Sequence, residues 1–463
     1  MQAAASSSDP STLVLLQQAM QAHGAGQSEQ ARQTYLQVLQ IEPDNADGLH
    51  LLGMLEGQFG SRDTAVALIT RAIEVKPEEA MFHNNLGNVH FGANRLPEAE
   101  RSYRRAVELD PARYDALNNL AVLLGRKGDK EGAERTFKAL LEAAPGFTDA
   151  RENLAELYLR QGRLSEALQQ CALGLVTTPR APGLRRLLGL AYSTWDMPEQ
   201  AAQVYRDWIR DEPDNPQPAH YLAAFTGVDV PERASDDYVR TSFDNFADSF
   251  DSKLADLEYR APELIGQALA EVLSADSKAW RVVDAGCGTG LCAAHLLPFA
   301  RTLVGMDLSP AMLRLAVQRG GYDELHEAEL VAFLQSRPAA FDVVVSADTL
   351  CYFGVLTAFA QAACDSLDDA GLDDTSFDGA NTRSGAGWLI FTVEAHDDVP
   401  DAPDFRLQGH GRYSHRAGYV RQTLMDAGFC APVLRSVVLR QEALKPVQGW
   451  LVSARLAARG TTT

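Results

Sequence analysis

Three glycines and two acidic residues in the second half of the chain have the spacing of a nucleoside site. A short segment with a valine pair runs directly into Asp284-x-Gly286-x-Gly288-x-Gly290. Glycines at every second position let the backbone turn sharply and bring its N–H groups against a ligand where a helix begins. Asp307 ends the next apolar segment, seventeen residues after Gly290, where a carboxylate can accept hydrogen bonds from both ribose hydroxyls. Nicotinamide enzymes instead space their glycines as G-x-G-x-x-G.

Two candidate site residues lie within the fourth apolar segment, 341–354. Asp348 and Tyr352 come just after its strand, at the edge of the sheet where ligands bind in open α/β folds. Asp348 is a candidate for proton transfer and Tyr352 for substrate binding. The alternative for Asp348 is a structural bond to a loop amide.

A second group of candidates lies in 407–420, after the fifth apolar segment. We expect a loop here that overhangs the carboxyl edge of the sheet. His410, Tyr413 and His415 are candidates for a general base or for substrate ligands, and Arg412 for a clamp on a substrate anion. The alternatives are that His415 caps the next helix and that Tyr413 packs in the core.

The elements that must position these residues alternate between strand and helix. Strands are predicted before Asp284, at 302–307, before Glu329, at 341–346 and at 387–394. A late pair of apolar segments, flanking 441–448, predicts an antiparallel hairpin that closes the sheet. This order predicts one doubly wound α/β domain.

Three further segments precede or interrupt that domain. The stretch 227–237 carries Gly227, Pro231 and clustered charge, which indicates a linker. The segment that follows places Phe243, Phe246 and Phe250 at helical spacing, which favours packing. The acidic, glycine-rich insert 366–387 is expected to form a mobile surface loop.

The first half of the chain repeats every 34 residues. Prolines, alanines and a leucine followed by a small residue each keep this step through six copies. The prolines are Pro43, Pro77, Pro111, Pro145, Pro179 and Pro213, and the alanines are Ala31, Ala65, Ala99, Ala133, Ala167 and Ala201. This pattern predicts two helices per repeat, with small residues where they approach and a proline after the second helix.

Two families resemble these patterns. Residues 12–215 resemble tetratricopeptide (TPR) repeats, with 216–226 as a capping helix and 12–226 as the array. Residues 238–457 resemble a class I S-adenosylmethionine-dependent methyltransferase through DAGCGTG, GMDLSPAML, FDVVVSADTL and the terminal hairpin. The resulting fold class is multidomain, an all-α TPR superhelix followed by a Rossmann-like domain. The whole chain is similar to bacterial fusions of the two, which share FDNFADSFDSKL and GRYSH.

The methyltransferase resemblance implies a set of cofactor-binding residues. The glycine loop would surround the methionine part, Asp307 would hold the ribose, and Glu329 would reach the adenine amine, where the family more often has aspartate. The cofactor-binding residues implied are Asp284, Gly286, Cys287, Gly288, Gly290, Asp307, Leu308, Glu329 and Asp348. For the repeats, the resemblance implies groove-lining amides that grip a peptide, with a solvated helix face as the alternative: Asn84, Asn85, Asn118, Asn119 and Asn153.

Bulk charge and cysteine usage restrict the partners. The formal charge of −20 repels phosphate backbones, so no nucleic-acid partner is expected. Six scattered cysteines without a C-x-x-C pair indicate reduced thiols, and Cys287 and Cys292 are interpreted as packing residues. The methyl transfer that the methyltransferase resemblance implies requires no metal ion. No basic and apolar leader and no long apolar stretch is present, which predicts a cytoplasmic protein without membrane contact.

Three functional hypotheses follow. The first is methyl transfer to an oxygen or nitrogen of a small molecule, with the TPR groove docking a protein or peptide partner. In the second the array captures a polypeptide that is itself the substrate. The third is a scaffold whose methyltransferase fold binds the cofactor without activity.

Overall fold

The computed structural model describes residues 10–273, 279–368, 387–396, 399, 402–442 and 445–457. Within these ranges, the side chains at 10, 59, 245, 246, 248, 249, 252, 255 and 256 are not described. The side chain of Phe246 and most of the insert 366–387 therefore lie outside the described residues. The chain divides into two compact units, Met1–Trp195 and Asp196–Thr463.

The first unit consists of helices that pack in consecutive pairs. The helices are α1 (Pro10–Gly24), α2 (Ser28–Ile41), α3 (Ala46–Phe59), α4 (Arg62–Val75), α5 (Ala80–Gly92), α6 (Leu96–Leu109), α7 (Tyr114–Arg126), α8 (Lys130–Ala143), α9 (Thr148–Arg160), α10 (Leu164–Thr177) and α11 (Pro182–Thr194). Close approach within a pair explains the recurrent small residues. A Cβ at Gly87 would lie 2.5 Å from the ring of Tyr103, and Ala99 is fully buried. The predicted helix pairs are confirmed.

Amides at the first helices of neighbouring repeats bond to one another. Asn119 donates to Asn84 Oδ1 at 3.0 Å, and Asn153 donates to Asn118 Oδ1 at 3.0 Å. Asn84 is buried, so it is not part of a solvated face. These bonds fix the amides in place, and each amide group retains further hydrogen-bonding capacity.

The second unit begins with helices and continues as an α/β domain. Its helices are α12 (Pro198–Asp211), α13 (Pro216–Thr226), α14 (Asp236–Asp256), α15 (Ala261–Val272), α16 (Ala293–Leu296), α17 (Pro310–Arg319), α18 (Leu330–Gln335), α19 (Thr357–Ser366) and α20 (Ala417–Asp426), with a 3₁₀ turn at Leu350–Tyr352. Its strands are β1 (Trp280–Ala285), β2 (Ala300–Asp307), β3 (Glu324–Glu327), β4 (Val343–Ser346), β5 (Trp388–Ala395), β6 (Phe405–Leu407), β7 (Tyr413–His415), β8 (Phe429–Glu442) and β9 (Lys445–Leu456).

The strand order is β3-β2-β1-β4-β5-β7-β6, and β9 pairs with both β5 and β8. In the series β3-β2-β1-β4-β5, each strand is parallel to its neighbours. Strand β9 is antiparallel to β5 and to β8. The valine pair of β1 shows why these strands are apolar throughout. Val282 packs on one face of the sheet with Ile265, and Val283 packs on the other with Phe359. Helices cover both faces, as in doubly wound sheets, and the predicted fold class is confirmed.

The segment between α13 and α14 is bonded to the sheet domain. The carbonyl of Glu232 accepts from the backbone N–H groups of Gly354 and Val355 at 2.8 Å, and Ala234 N donates to the carbonyl of Tyr352 at 2.8 Å. Arg233 forms an isolated bridge with Phe353. This part of the predicted linker therefore has fixed partners within the second unit.

Within the described part of the chain, no helix combines the length and apolarity needed to cross a bilayer.

Candidate functional site

The glycine loop follows β1 and adopts left-handed backbone geometry. Gly286, Gly288 and Gly290 have φ angles of +83°, +54° and +85°, which side-chain-bearing residues rarely adopt. A Cβ at Gly286 would lie 2.2 Å from Thr349 Oγ1. At Gly288 a Cβ would meet only Phe250, at 3.9 Å. The loop is packed at its first glycine and open at its second, where a ligand can approach the backbone.

Asp307 stands at the carboxyl end of β2 and holds this loop. Its Oδ2 accepts from Gly288 N at 2.9 Å, and its Oδ1 accepts from Ser309 N at 2.9 Å. Burial raises the pKa of Asp307, and these backbone N–H groups oppose that rise. Each carboxylate oxygen can accept a second bond, so the side chain can still bind hydroxyl groups.

Glu329 occupies the turn after β3 and caps α18. Its Oε2 accepts from Ala332 N at 2.8 Å. Its Oε1 is buried and has no hydrogen-bond partner among the described residues, although Arg233 Nη1 lies 3.5 Å away as an ion pair. A ligand amine would complete the bonding of this oxygen.

A cavity of about 310 Å³ joins these features, a volume at the lower end of the range of roughly 300 to 1,000 Å³ for small-molecule sites. Its walls include the loop, the ends of β2 and β4, and α14. The lining residues from the sequence predictions are Gly286, Cys287, Gly288, Asp307, Leu308, Glu329, Asp348, Tyr352 and Arg412.

Helix α14 closes the cavity and is tied to both flanking elements. Asp244 Oδ1 accepts from Ser309 Oγ at 2.6 Å, and Asp251 Oδ1 accepts from Thr289 Oγ1 at 2.6 Å. Phe243 and Phe250 line the cavity, and the Phe243 ring meets the Tyr352 ring edge-on at 5.4 Å. The aromatic spacing predicted for packing therefore also supplies an apolar wall.

A buried ion network forms the opposite end of the cavity. Arg440 is 3% exposed and donates to Asp348 Oδ2 at 2.6 Å, to Glu442 Oε1 at 2.7 Å and to Glu394 Oε1. Arg412 donates to Glu394 Oε1 at 2.6 Å and to Glu442 Oε1 at 2.5 Å. Burial acts to raise the pKa of Glu394, but the charges of Arg412 and Arg440 outweigh it and lower the pKa to about 2.

Asp348 has unusual geometry. Its φ is +55°, a left-handed value for a residue with a side chain. Its backbone N–H donates to Thr392 Oγ1 at 2.9 Å, which helps to hold this conformation. Oδ1 is buried and has no hydrogen-bond partner among the described residues, and burial raises the pKa of the carboxyl group.

Three candidates for a general base are not among the described residues that line the cavity: His410, Tyr413 and His415. The expected loop instead contains two short strands, β6 and β7, with Tyr413 and His415 buried on β7. Tyr413 donates to the carbonyl of Pro231 at 2.8 Å, and His415 Nε2 lies 3.1 Å from the carbonyl of Gly354. Burial lowers the pKa of His415 to about 4, so its ring is neutral at pH 7.

His410 lies behind the ion network, with Nε2 3.5 Å from Glu394 Oε2. Burial, reinforced by the charge of Arg412, lowers its pKa to about 4.

Two members of the implied cofactor set also lie off the cavity wall. Asp284 is fully buried beneath the loop, where its Oδ2 accepts from Tyr322 at 2.6 Å. Gly290 packs against Tyr322 and Arg319. Both residues support the loop from below in the structure.

The sequence analysis did not single out Arg440, Glu394, Glu442 or Arg233. Tyr259, Arg233, Arg440 and Glu442 line the cavity. Arg440 and Glu442 come from the hairpin, far along the chain from the glycine loop. Their one sequence signal was their charge near the end of the strand β8.

The residues present fit an adenosyl group. Gly288 leaves room for close approach to the backbone, Asp307 can bind hydroxyls, and the bare Oε1 of Glu329 requires a donor. These groups line one cavity and are arranged along the carboxyl edge of the parallel strands, where ligands bind in open α/β sheets.

Comparison with known proteins agrees with this architecture. The family described as "Methyltransferase domain" matches residues 283–372, and the family described as "Tetratricopeptide repeat" matches 50–114 and 118–183. The chain carries TPR repeats and a methyltransferase domain. Both predicted resemblances are thereby confirmed. The methyltransferase match spans the glycine loop, Asp307 and Asp348.

Two curated relatives resemble part of the chain. "Methyltransferase-like protein 27" of Homo sapiens is 37% identical over 105 residues, which are 22% of this chain and 43% of that protein. "18S rRNA (guanine-N(7))-methyltransferase" of Bos taurus is 30% identical over 95 residues, 20% of this chain and 33% of that protein. The chain thus covers less than half the length of each relative.

Among solved structures, "PilW, widely conserved type IV pilus biogenesis factor" is similar with a TM-score of 0.41 and 21% identity, over 45% of this chain and 96% of that one.

Proposed function

We propose that the protein is an S-adenosylmethionine-dependent methyltransferase that acts on an oxygen or nitrogen atom of a small molecule, with the TPR array docking a protein or peptide partner. One observation carries the proposal. The open face of Gly288, the Asp307 carboxylate and Glu329 Oε1, which has no hydrogen-bond donor among the described residues, border a single cavity in a methyltransferase domain. When bound, the cofactor supplies an activated methyl group.

The chain's own residues divide the work of binding. The glycine loop would receive the amino-acid part of the cofactor, Asp307 the ribose hydroxyls, and Glu329 the adenine amine. Phe243 and Phe250 on α14 would exclude water from the cavity, which strengthens electrostatic interactions inside it. Asp348, the candidate for accepting a proton, lines the same cavity.

A small acceptor is favoured by the way the cavity is covered. Helix α14 lies over the loop and is bonded to it through Asp251. The cavity volume of about 310 Å³ is at the lower end of the range for small-molecule sites, which favours a compact acceptor. The cross-bonded amides of the repeats support peptide docking by the array, since their positions are fixed.

Cofactor binding is tested by calorimetry on the full chain with S-adenosylmethionine. We expect Asp307→Asn to weaken binding at least about tenfold, because a hydrogen bond to a charged group contributes roughly 1.5 to 3 kcal/mol. Asp323→Asn is the matched control, since Asp323 also accepts a backbone N–H, from Leu303 at 2.8 Å, but does not line the cavity. Equal affinity of wild type and Asp307→Asn would contradict the ribose assignment.

The acceptor class is tested by methyl-label transfer into a cell extract, separated into metabolite, protein and RNA fractions. We expect the label in the metabolite fraction. Label in protein would instead support capture of a polypeptide substrate by the array. Label in RNA would show that the charges at the site permit binding of a nucleic acid despite the repulsion expected from the net charge of −20.

A further inference from the structure

The end of the cavity formed by Asp348, Arg412, Arg440 and Glu442 carries an unbalanced charge. Two guanidinium groups, Arg412 and Arg440, are bonded to three carboxylates, which are those of Asp348, Glu394 and Glu442. With every group ionised, the network has one negative charge in excess. Charges buried together in this way interact more strongly than on the surface.

Both guanidinium groups are already bonded to carboxylates of the network. All three nitrogens of Arg440 donate to carboxylates. In Arg412, Nε and Nη2 donate to Glu394 and Glu442. An incoming carboxylate or phosphate would have to compete with carboxylates already in place. The structure therefore disfavours the role of Arg412 as a clamp on a substrate anion.

One carboxylate oxygen in the network lacks a donor. Asp348 Oδ2 is bonded to Arg440, whereas its buried Oδ1 has no hydrogen-bond partner among the described residues. A buried acceptor without a donor is costly, so a ligand N–H at this position would be stabilised. A positively charged donor would also favour the ionised form of Asp348.

Part of the remaining cavity wall is aromatic and aliphatic, and the wall also includes the charged residues Arg233, Lys253, Asp307 and Glu329. Tyr259 and Tyr352 line the cavity together with Phe243, Leu254 and Leu257. Aromatic faces attract cations, and the aliphatic groups favour a ligand with an apolar body.

We propose that the acceptor is a small amine on an aromatic or apolar body, recognised through its ammonium group by Asp348 and Glu442. This assignment rests on the proposed methyltransferase function, and it selects nitrogen over oxygen as the methylated atom. Asp348, which lines the cavity, would first accept one proton from the ammonium group. The neutral nitrogen then has the lone pair that forms the new N–C bond as the methyl–sulfur bond of the cofactor breaks. It also separates the roles of the cavity walls. The loop and Asp307 hold the cofactor, and the ion network selects the acceptor by charge.

The probes for this proposal are matched triplets that differ only in the terminal group. One triplet is 2-phenylethylamine, 2-phenylethanol and phenylacetate, and the second carries an indole ring in place of the phenyl ring. Binding to the full chain is measured by calorimetry with S-adenosylhomocysteine saturating, so that the amino-acid part of the cofactor site is filled. We expect the amine of at least one triplet to bind about tenfold or more tightly than its alcohol, with the carboxylate weakest.

Two variants in the network are expected to act in opposite directions. Glu442→Gln removes the excess negative charge and should lower the preference for amine over alcohol several-fold. Arg412→Met increases the excess and should raise that preference. Glu271→Gln is the control, because Glu271 pairs with Arg435 at 2.7 Å on the surface of the same unit, so it changes net charge without touching the cavity.

Affinity for S-adenosylhomocysteine, measured on each variant, shows whether the fold and the cofactor site are intact. If wild type binds neither S-adenosylmethionine nor S-adenosylhomocysteine, the proposed function itself fails. If the cofactor binds but no amine is preferred, or a carboxylate binds most tightly, only the amine assignment is overturned. The calorimetry is repeated without S-adenosylhomocysteine. A preference for the amine that is seen only without S-adenosylhomocysteine would also overturn the amine assignment, because the excess negative charge would then bind the cofactor.

Discussion

The buried carboxyl group of Asp284 gives the second unit a pH-dependent stability that one substitution should remove. Asp284 is fully buried, Tyr322 donates to its Oδ2, and its Oδ1 has no hydrogen-bond partner among the described residues. Burial raises its pKa from 3.8 to about 7, although the bond from Tyr322 opposes the rise. We expect Asp284→Asn to abolish the resulting pH dependence, because an amide does not titrate.

The sign follows from proton binding. Between pH 3.8 and about 7 the folded state holds a proton on Asp284 that the unfolded state has released, so stability falls as pH rises through this window. Each pH unit corresponds to about 1.4 kcal/mol, which makes the full effect on the order of 4 kcal/mol. Between pH 5 and pH 8, the free energy of unfolding of Asp284→Asn relative to wild type should rise by about 3 kcal/mol.

Urea titrations followed by tryptophan fluorescence measure this difference, since four of the five tryptophans lie in Asp196–Thr463. Comparing variant with wild type at each pH cancels the titration of distant groups. In a Tyr322→Phe background the donor is lost, so the pKa of Asp284 should rise further and the slope should continue above pH 7. A difference between variant and wild type that stays constant from pH 5 to pH 8 would refute the reasoning.

Two further predictions concern the loop and the β7 strand. Gly286→Ala should cost roughly 1 to 3 kcal/mol more stability than Gly320→Ala in a thermal melt, because both glycines have positive φ but only Gly286 has Thr349 where the Cβ would lie. Equal losses would show that backbone strain alone matters. Tyr413→Phe should lower the free energy of unfolding by about 1 kcal/mol through the lost bond to Pro231, while kcat in the label-transfer assay stays at the wild-type value. A large fall in kcat with stability unchanged would return Tyr413 to the candidates for a general base.

Local patterns in the sequence were sufficient for the fold and for the juxtaposition of the glycine loop with Asp307. The 34-residue step reflects helix pairs that contact only their neighbours, so each repeat carries its own signal. The glycine loop and Asp307 lie close in the chain and are joined by one crossover helix. Their juxtaposition follows from the handedness and short connections of parallel strands. In the structure, the backbone N of Gly288 lies 2.9 Å from Asp307 Oδ2.

The ion network around Arg440 could be found only from the tertiary structure. Arg440 and Asp348 are 92 residues apart in the chain and meet because β9 pairs with β5 and β8. Periodicity reports which face of a strand is buried, but it does not report which charged residues meet at the end of a sheet. For the same reason, His410 and His415 were sound candidates by residue type, and only the pairing of β7 with β5 placed His415 in the core. The sequence determined the scaffold and the loop, and long-range strand pairing decided which charged residues form the ion network around Arg440.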